Sequence, residues 1–312
     1  MKEIELEGWL ISTTARSLAF LTPLLLAALG EIYAERSGVV NLGVEGMMIM
    51  GALFGFIAAQ VTANPYLGVL AAAVVGTMAG LLHAFLAITL RANQYVSGLA
   101  LTIFGLGLTG VLGRAWEGMP LRESFRRVTV HGLSDIPLLG PALFEGQHVM
   151  TYAAIIAAVI LWLILFHTRL GLTIRSVGES PAAADALGVS VYLVRYGCVA
   201  FGGLMAGVAG SYLSLAYRPS WSEGMTTGMG WIAIAIAIFA AWHPLKALGG
   251  AFLFGAAFHL AFRLQAVFPA EFLRLLPYVA TIVALVLTSL TRGGRRQGAP
   301  EGLGVPYVRG ER

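Results

Sequence analysis

The sequence has few charged residues and almost no lysine or cysteine. Charged residues make up 12% of its 312 residues and hydrophobic residues 58%, and its mean hydropathy is +0.80. Because a soluble domain has about 25% charged residues, this composition excludes a soluble protein and predicts an integral membrane protein. The apolar run after Arg16 is interpreted as a retained span and not as a cleaved signal, since similar runs recur along the chain. The single cysteine, Cys198, excludes a disulfide framework and a thiolate metal site.

The chain also lacks the motifs of common catalytic chemistry. Its two lysines, Lys2 and Lys246, do not follow a G-x-x-x-x-G run, so the sequence has no phosphate-binding loop and this polypeptide is not expected to hydrolyse ATP. It contains neither an H-E-x-x-H zinc motif nor a G-x-S-x-G nucleophile motif. These absences predict no catalytic residues, no metal site and no cofactor bound by this chain, and they disfavour a membrane enzyme.

Apolar runs of membrane-spanning length, about 17 to 25 residues, recur through the sequence. They predict an all-α membrane protein with about nine spans (eight to ten) in a single transmembrane domain that covers residues 1–312. The predicted spans are 17–34, 42–62, 67–90, 93–113, 148–167, 193–217, 226–242, 248–268 and 275–291.

Positive charge is concentrated after the last predicted span. Three arginines of the tail, residues 292–312, lie directly beside this span, which predicts a cytoplasmic C-terminus by the positive-inside rule. Nine spans then place the 168–192 loop in the cytoplasm, and the 114–147 loop and the N-terminus outside. Arginines in the 114–147 loop oppose this assignment. The net charge of +4 is interpreted as a topology signal, so no nucleic-acid partner is predicted.

The spans and one short motif indicate duplicated halves. Four predicted spans lie on each side of the fifth, as in a duplicated bundle. The motif VEGMM at residues 44–48 opens the second span, and SEGMT at 222–226 opens the seventh.

The polar segment TRLGLTIRSVGESPAAADALGVSVYLVRYG, residues 168–197, has the start and stop signals of one short helix. Ser180 suits the N-cap, Pro181 the first helical position and Gly188 a left-handed C-terminal stop. A helix of about seven residues is too short to be stable alone in water. Ala183 and Leu187 give it a small apolar face, which predicts docking either on its own bundle or in a groove of a soluble partner.

Three motifs of the chain together resemble one family. The segments ERSGVVNLGVEGMMIMGAL, GLTIRSVGESPAAADALGVSVYLVRYG and GMGWIAIAIAIFAAWHPLKALGGAFLFG are similar, in this order, to permease subunits of bacterial ATP-binding-cassette (ABC) importers. The family is the branched-chain amino acid, ribose and simple-sugar permease superfamily, and the resemblance is greatest to the shorter permease of nucleoside importers. It covers roughly residues 24–290.

This resemblance implies a fold, partners and a coupling loop. The fold is a vitamin-B12-importer-like (type II ABC importer) bundle in the inner membrane. The partners are a longer sister permease that forms a heterodimer, two ABC ATPase subunits that hold ATP and Mg²⁺, and an external substrate-binding lipoprotein. The resemblance further implies that residues 175–189 seat in the ATPase cleft. The coupling residues that it implies are Arg175, Gly178, Glu179, Ser180, Pro181, Ala182, Ala183, Asp185, Leu187 and Gly188.

The stretch AERSGVVNLGVEGMMIMGAL, residues 34–53, places polar groups in an apolar span. An ionisable group at mid-bilayer costs about 2.5 to 3.5 kcal/mol. The glycines of this stretch and Asn41 predict non-regular backbone whose polar groups face inward. Glu45 is predicted to share a face with Asn41, and Glu35 to pair with Arg36. The alternative is that these residues only fix the start of the helix.

The predicted function is a permease subunit that forms half of the path for a nucleoside or related small polar solute. Side-chain amides and hydroxyls suit ribose hydroxyls or base edges, and an indole can stack on a base. Packing, or anchoring at the membrane interface, is the alternative role. The predicted path residues are Asn41, Glu45, Asn93, Gln94, Ser97 and Trp231.

Two other functions remain open. The first is a simple-sugar (ribose-type) ABC permease, because residue types do not separate nucleosides from pentoses. The second is a proton-coupled secondary transporter that uses Glu45 or His83, and this function would leave the short cytoplasmic helix without a role.

Overall fold

The computed structural model describes residues 2–137, 139–265, 279, 286 and 298–310. Within these residues the chain is almost entirely helical. Its α-helices are α1 (Lys2–Arg36), α2 (Val44–Thr62), α3 (Pro65–Ala84), α4 (Gln94–Leu112), α5 (Leu139–Phe144), α6 (Val149–His167), α7 (Arg169–Glu179), α8 (Pro181–Ala186), α9 (Val191–Tyr212), α10 (Met229–Phe239) and α11 (Pro244–Leu264).

Short elements complete the described chain. The helices α3 and α9 each continue into a π-helical turn, Phe85–Thr89 and Leu213–Tyr217. A 3-10 turn, Arg114–Trp116, follows α4. Two short strands, β1 (Arg127–Val128) and β2 (Gln147–His148), pair antiparallel in the 114–147 region. This region therefore has some local structure, although it was predicted only as a loop.

Seven helices among the described residues are long and apolar enough to cross a membrane. They confirm a helical, multi-pass architecture and correspond to the first six predicted spans and the eighth. The seventh predicted span, 226–242, is not one continuous helix, because only the 11 residues of α10 are helical. At 1.5 Å per residue α10 is about 16 Å long, against about 30 Å for the hydrocarbon core. The ninth, 275–291, lies outside the described residues except for 279 and 286, so the count of nine stays a prediction.

The helices form an inner and an outer layer. The most apolar windows of α1, α2 and α9 are 89%, 72% and 78% buried, whereas those of α3, α4 and α6 are 33% buried. The inner helix α9 packs against α3, α1 and α2, and α11 packs along α1. The outer helices expose apolar side chains, as expected of surfaces that contact lipid or another membrane subunit.

Glycines allow the inner helices to pack with their backbones in contact. A Cβ atom at Gly210 of α9 would overlap the carbonyl oxygen of Met48 in α2, and one at Gly51 would overlap that of Gly207. The same holds between α3 and α9, where Gly76 faces Gly203. Small residues at helix interfaces allow this close approach in membrane bundles.

Two stretches of non-helical backbone lie inside this bundle. The first, residues 37–43, joins α1 to α2 and is called the connector; its residues are buried, apart from the partly buried Leu42. The second, residues 222–228, precedes α10 and is called the descending segment. Its upper end lies at Trp221, whose indole covers Gly113 at the end of α4. Its lower end reaches Glu45, and the adjacent Gly46 packs against Thr102 in the middle of α4. At 1.5 Å per residue, the part of α4 between Thr102 and Gly113 is roughly 16 Å long.

Candidate functional site

The 168–192 loop folds into two helices joined at Ser180. The predicted short helix is confirmed as α8, with Pro181 in its first turn and Gly188 at a φ of 83° just beyond its end. Ser180 occupies the N-cap position, although its side chain makes no capping hydrogen bond. The preceding helix α7 was not predicted. One side of α7, which includes Ile174 and Val177, is buried against the bundle.

The helix α8 exposes an apolar face at the end of the bundle. Ala183 is exposed, as predicted, and Leu187 is 86% exposed. On its opposite side α8 buries Ala184 in a small apolar cluster with Val177 and Val191. Among the described residues, the bundle therefore contacts α8 on one side and leaves its other side exposed.

The implied coupling residues divide between α7, α8 and the turns that flank them. Arg175 lies over the ring of Phe166 at 5.2 Å from its centroid. Glu179 pairs with Arg36 at 3.8 Å, and Asp185 pairs with Arg309 at 3.1 Å. These are the ion pairs that join the loop to the rest of the described chain. Gly178, Ala182, Ala183, Leu187 and Gly188 make no side-chain hydrogen bond, as their residue types require.

Side chains from three helices bind the backbone of the connector. Val40 N–H donates to Oε1 of Gln94 at 2.8 Å, and Val40 O accepts from Nε2 of His83 at 2.9 Å. Asn41 N–H donates to Oε1 of Glu31 at 3.2 Å. Thr102 donates its hydroxyl to Leu42 O at 2.9 Å. Because an unpaired buried peptide group is costly, these polar residues allow the connector to leave helical geometry inside the bundle.

Asn41 fixes the connector from within. Its Oδ1 accepts a hydrogen bond from Gly43 N–H at 3.0 Å, and its Nδ2 donates to Oε2 of Glu31 at 3.4 Å. The prediction of non-regular backbone with Asn41 turned inward is confirmed. Ser97 belongs to the same network, because its Oγ lies 3.2 Å from Nδ1 of His83.

Glu45 caps α10 from the first turn of α2. Its carboxylate accepts hydrogen bonds from Thr226 Oγ1 at 2.9 Å and from Gly230 N–H at 2.7 Å. A Cβ at Gly230 would lie 2.6 Å from Cα of Glu45, so the starts of the two helices are in contact. The carboxylate thus accepts from one of the unpaired backbone donors at the start of α10 and lies at the positive end of its dipole.

The predicted pairing of Glu35 with Arg36 is wrong. Glu35 accepts a hydrogen bond from the indole Nε1 of Trp242. Arg36 donates to Ala241 O at 3.1 Å and to Trp242 O at 3.3 Å, in addition to its pair with Glu179. Adjacent residues of a helix point about 100° apart, so the two side chains reach different neighbours.

The remaining predicted path residues occupy different environments. Asn93 is exposed and caps α4 by accepting from Tyr95 N–H at 3.0 Å and Val96 N–H at 3.1 Å. Gln94 is buried, and its Nε2 has no hydrogen-bond partner among the described residues. Trp231 is 39% exposed at the start of α10. The structure thus groups Asn41, Gln94 and Ser97 around the connector, and Glu45 and Trp231 around the start of α10.

Sequence reasoning missed two residues that organise this region, Glu31 and Arg195. Both are buried, and both bind the connector. An ionisable residue inside an apolar run indicates a site with a specific partner. This signal was present at both positions. Among the residues that the structure describes, no three histidine, cysteine or acidic side chains converge to hold a metal ion.

This chain is similar to known transport permeases over most of its length. The sequence profile described as "Branched-chain amino acid transport system / permease component" matches residues 13–285. The guanosine ABC transporter permease protein NupQ of Bacillus subtilis is 40% identical over 95% of this chain and 96% of its own length. The nucleoside ABC transporter permease protein NupC of Lactococcus lactis is 34% identical over 95% of this chain and 96% of its own length. A putative glucose ABC transporter permease protein, TsgC13 of Haloferax volcanii, is 42% identical over 78% of this chain and 75% of its own length.

Proposed function

This chain belongs to the family of permease components of branched-chain amino acid transport systems, and we propose that it is the membrane-spanning subunit of an ABC importer for a nucleoside. The observation that carries the proposal is the similarity to NupQ, which extends over 95% of this chain and 96% of that permease. The glucose permease of Haloferax volcanii favours a sugar as the second candidate, but that similarity covers 78% of this chain.

The exposed face of α8 supports coupling to a separate ATPase. This chain has no phosphate-binding loop, so ATP and Mg²⁺ would be held by ABC ATPase subunits that receive α8. A small helix that is buried on one side and exposes Ala183 and Leu187 on the other fits a groove on such a partner. The importer would be completed by a longer sister permease and an external binding lipoprotein. We further propose that the chain forms a single transmembrane domain with nine spans and the type II importer fold.

The descending segment supports a path for the solute beside α10. Glu223 and Thr227 of this segment are exposed, and Glu223 lies against α4, with its Oε1 3.1 Å from the position of a Cβ at Gly110. Non-helical backbone at membrane depth is tolerated where it is covered by protein or lines a water-filled cavity. We therefore propose that this face of the bundle, between α4 and α10, meets the sister permease and lines the path.

The chemistry of this face suits a neutral nucleoside. The carboxylate of Glu223 and the hydroxyl of Thr227 can bind ribose hydroxyls and base N–H groups. Trp231 offers an aromatic surface for a base. The carboxylate of Glu223 has no ion pair among the residues that the structure describes, and it disfavours a phosphorylated solute by like-charge repulsion. Asn41, Glu45, Gln94 and Ser97 would hold the backbone that frames the path, and Asn93 would hold the start of α4.

Reconstitution of the importer with its two permeases, ATPase and binding lipoprotein tests this function. We expect ATP-dependent uptake of labelled guanosine and adenosine, with guanosine monophosphate excluded. Uptake of glucose or ribose without nucleosides would replace the nucleoside with a sugar. Uptake that continues without the ATPase and stops when the proton gradient is dissipated would instead show a secondary transporter.

A further inference from the structure

Residues 298–310 lie against the α7–α8 pair and are called the strap. Gly302 N–H donates to Gly178 O at 2.8 Å, and Glu301 N–H donates to Oε2 of Glu179 at 3.3 Å. Farther along the strap, Arg309 pairs with Asp185 of α8 at 3.1 Å. The strap therefore contacts both helices of the loop.

The strap also packs on the buried side of α8. Tyr307 lies against the apolar cluster of Val177, Ala184 and Val191. Tyr192, at the start of α9, donates its hydroxyl to Tyr307 O at 3.3 Å. This position leaves the exposed apolar face of α8 uncovered. A partner could therefore hold α8 from one side while the strap holds it from the other.

The same strap reaches the connector through its backbone. Gly304 N–H donates to Gly38 O at 3.1 Å. Gly38 has a φ of 93°, and a Cβ there would lie 3.0 Å from Gly302 O. A Cβ at Gly302 would in turn lie 2.7 Å from Gly178 O. Connector, strap and α7 thus meet backbone to backbone, with no room for a side chain between them.

Arg195 of α9 ties the strap to the connector. Its Nε donates to Ser37 O at 3.2 Å, its Nη1 to Val305 O at 3.0 Å and its Nη2 to Gly302 O at 3.4 Å. The residue is 2% exposed. A buried cation is costly unless its donors are satisfied. The rigid guanidinium fork satisfies three donors only when both segments are in place, so Arg195 favours the arrangement in which they are joined.

We propose that the strap and Arg195 transmit the movement of α8 to the connector, and so couple the ATPase to the transport path. Movement of α8 passes through the packing of Tyr307 on its buried side to the strap, and from there to Ser37 and Gly38. The connector is bonded in turn to Glu31, His83 and Gln94, which lie on three different spans. This proposal rests on the proposed function and assigns a role to residues outside the α7–α8 loop.

Two variants of the reconstituted importer test the strap. The first ends the chain after Gln297, and the second is Arg195→Lys, which keeps the charge but loses the fork. We expect the ATPase subunit to co-purify and ATP to be hydrolysed as in the unaltered complex, while guanosine uptake per ATP falls about tenfold, within the range of about 5- to 150-fold typical of coupled sites. The matched control is Arg309→Ala, which removes the exposed ion pair alone and should change this ratio less than twofold, because exposed pairs contribute little.

A second readout does not depend on the solute. Hydrogen–deuterium exchange of residues 37–43 should change on ATP binding in the unaltered complex and in Arg309→Ala, but not in the two strap variants. The proposal is overturned if Arg195→Lys takes up as much guanosine per ATP as the unaltered complex. It is also overturned if residues 37–43 of this variant still change their exchange on ATP binding. If the shortened chain does not assemble, Gly302→Val, which pushes the strap away from α7, decides in its place by the same two measurements. If the unaltered complex takes up no nucleoside, but its exchange response to ATP is present and the strap variants lose it, the nucleoside function is contradicted and the strap is supported.

Discussion

Three buried ionisable residues around the connector each have a backbone partner. Glu31 binds Asn41, Glu45 binds the start of α10 and Arg195 binds carbonyl oxygens of the connector and the strap. Charged groups in the membrane interior are costly, and here each one binds a peptide group of a non-helical segment or of a helix start. The polar residues of the stretch 34–53 therefore have structural partners.

Trp231 is the predicted path residue whose side chain is both exposed and able to stack on a base. We expect Trp231→Ala to raise the KM for guanosine uptake by about 2- to 12-fold, which corresponds to the loss of one aromatic contact of about 0.5 to 1.5 kcal/mol. The measurement is uptake of labelled guanosine by the reconstituted importer. The control is Trp9→Ala, because Trp9 is similarly exposed, at 41%, and lies near the start of α1. An equal effect of both substitutions would remove Trp231 from the path.

The connector and the descending segment each lead into a helix that begins inside the bundle. The connector precedes α2, and the descending segment precedes α10. Glu45 links the two, because it belongs to the first turn of α2 and caps α10. Discontinuous helices of this kind place polar backbone near the middle of a membrane protein, where transport sites form. This arrangement relates the two motifs VEGMM and SEGMT, whose segments meet in the structure.

The helix α8 is the element with the clearest docking prediction. Ala183→Arg places a long charged side chain on its exposed apolar face, so we expect the ATPase subunit to be lost from the purified complex while the two permeases stay together. A weakening of at least tenfold corresponds to about 1.4 kcal/mol. The amount of ATPase that co-purifies with the tagged permease is the measurement.

A matched substitution at the other end of the bundle controls for a general effect of charge. Leu133→Arg introduces the same side chain at an exposed position of the 114–147 loop and should leave ATPase recovery unchanged. Full recovery of the ATPase with Ala183→Arg would remove α8 as the docking element.

At the scale of the whole molecule, the helices place the loops at two ends of the bundle. The strap binds the α7–α8 pair, so the strap and the 168–192 loop lie at the same end. The 19-residue helix α6 separates that loop from the 114–147 loop. We expect an epitope tag after Arg312 to be accessible only from the cytoplasm, and one beside Ser134 only from outside. Labelling of intact and permeabilised cells measures this, and accessibility of both tags from one side would contradict the predicted topology.

The sequence by itself determined the elements that depend on local chemistry. Composition and apolar runs identify the membrane class and seven spans, because burial in lipid requires about 20 consecutive apolar residues. Pro181 and Gly188 bound α8, because proline suits a helix start and glycine a left-handed stop. Asn41 and the glycines indicate the non-helical connector. Each of these signals acts within a few residues of its position.

Only the tertiary structure decided which polar groups meet. Glu45 caps a helix that starts more than 180 residues later in the chain, and Arg195 joins the connector to the strap. The segment 226–242 is apolar enough for a span, yet its first part is non-helical, because Glu45 and Thr226 stabilise a helix start at membrane depth. Such bonds are specified by the distances between atoms of packed helices, and residues far apart in the chain carry no local signal of a shared partner.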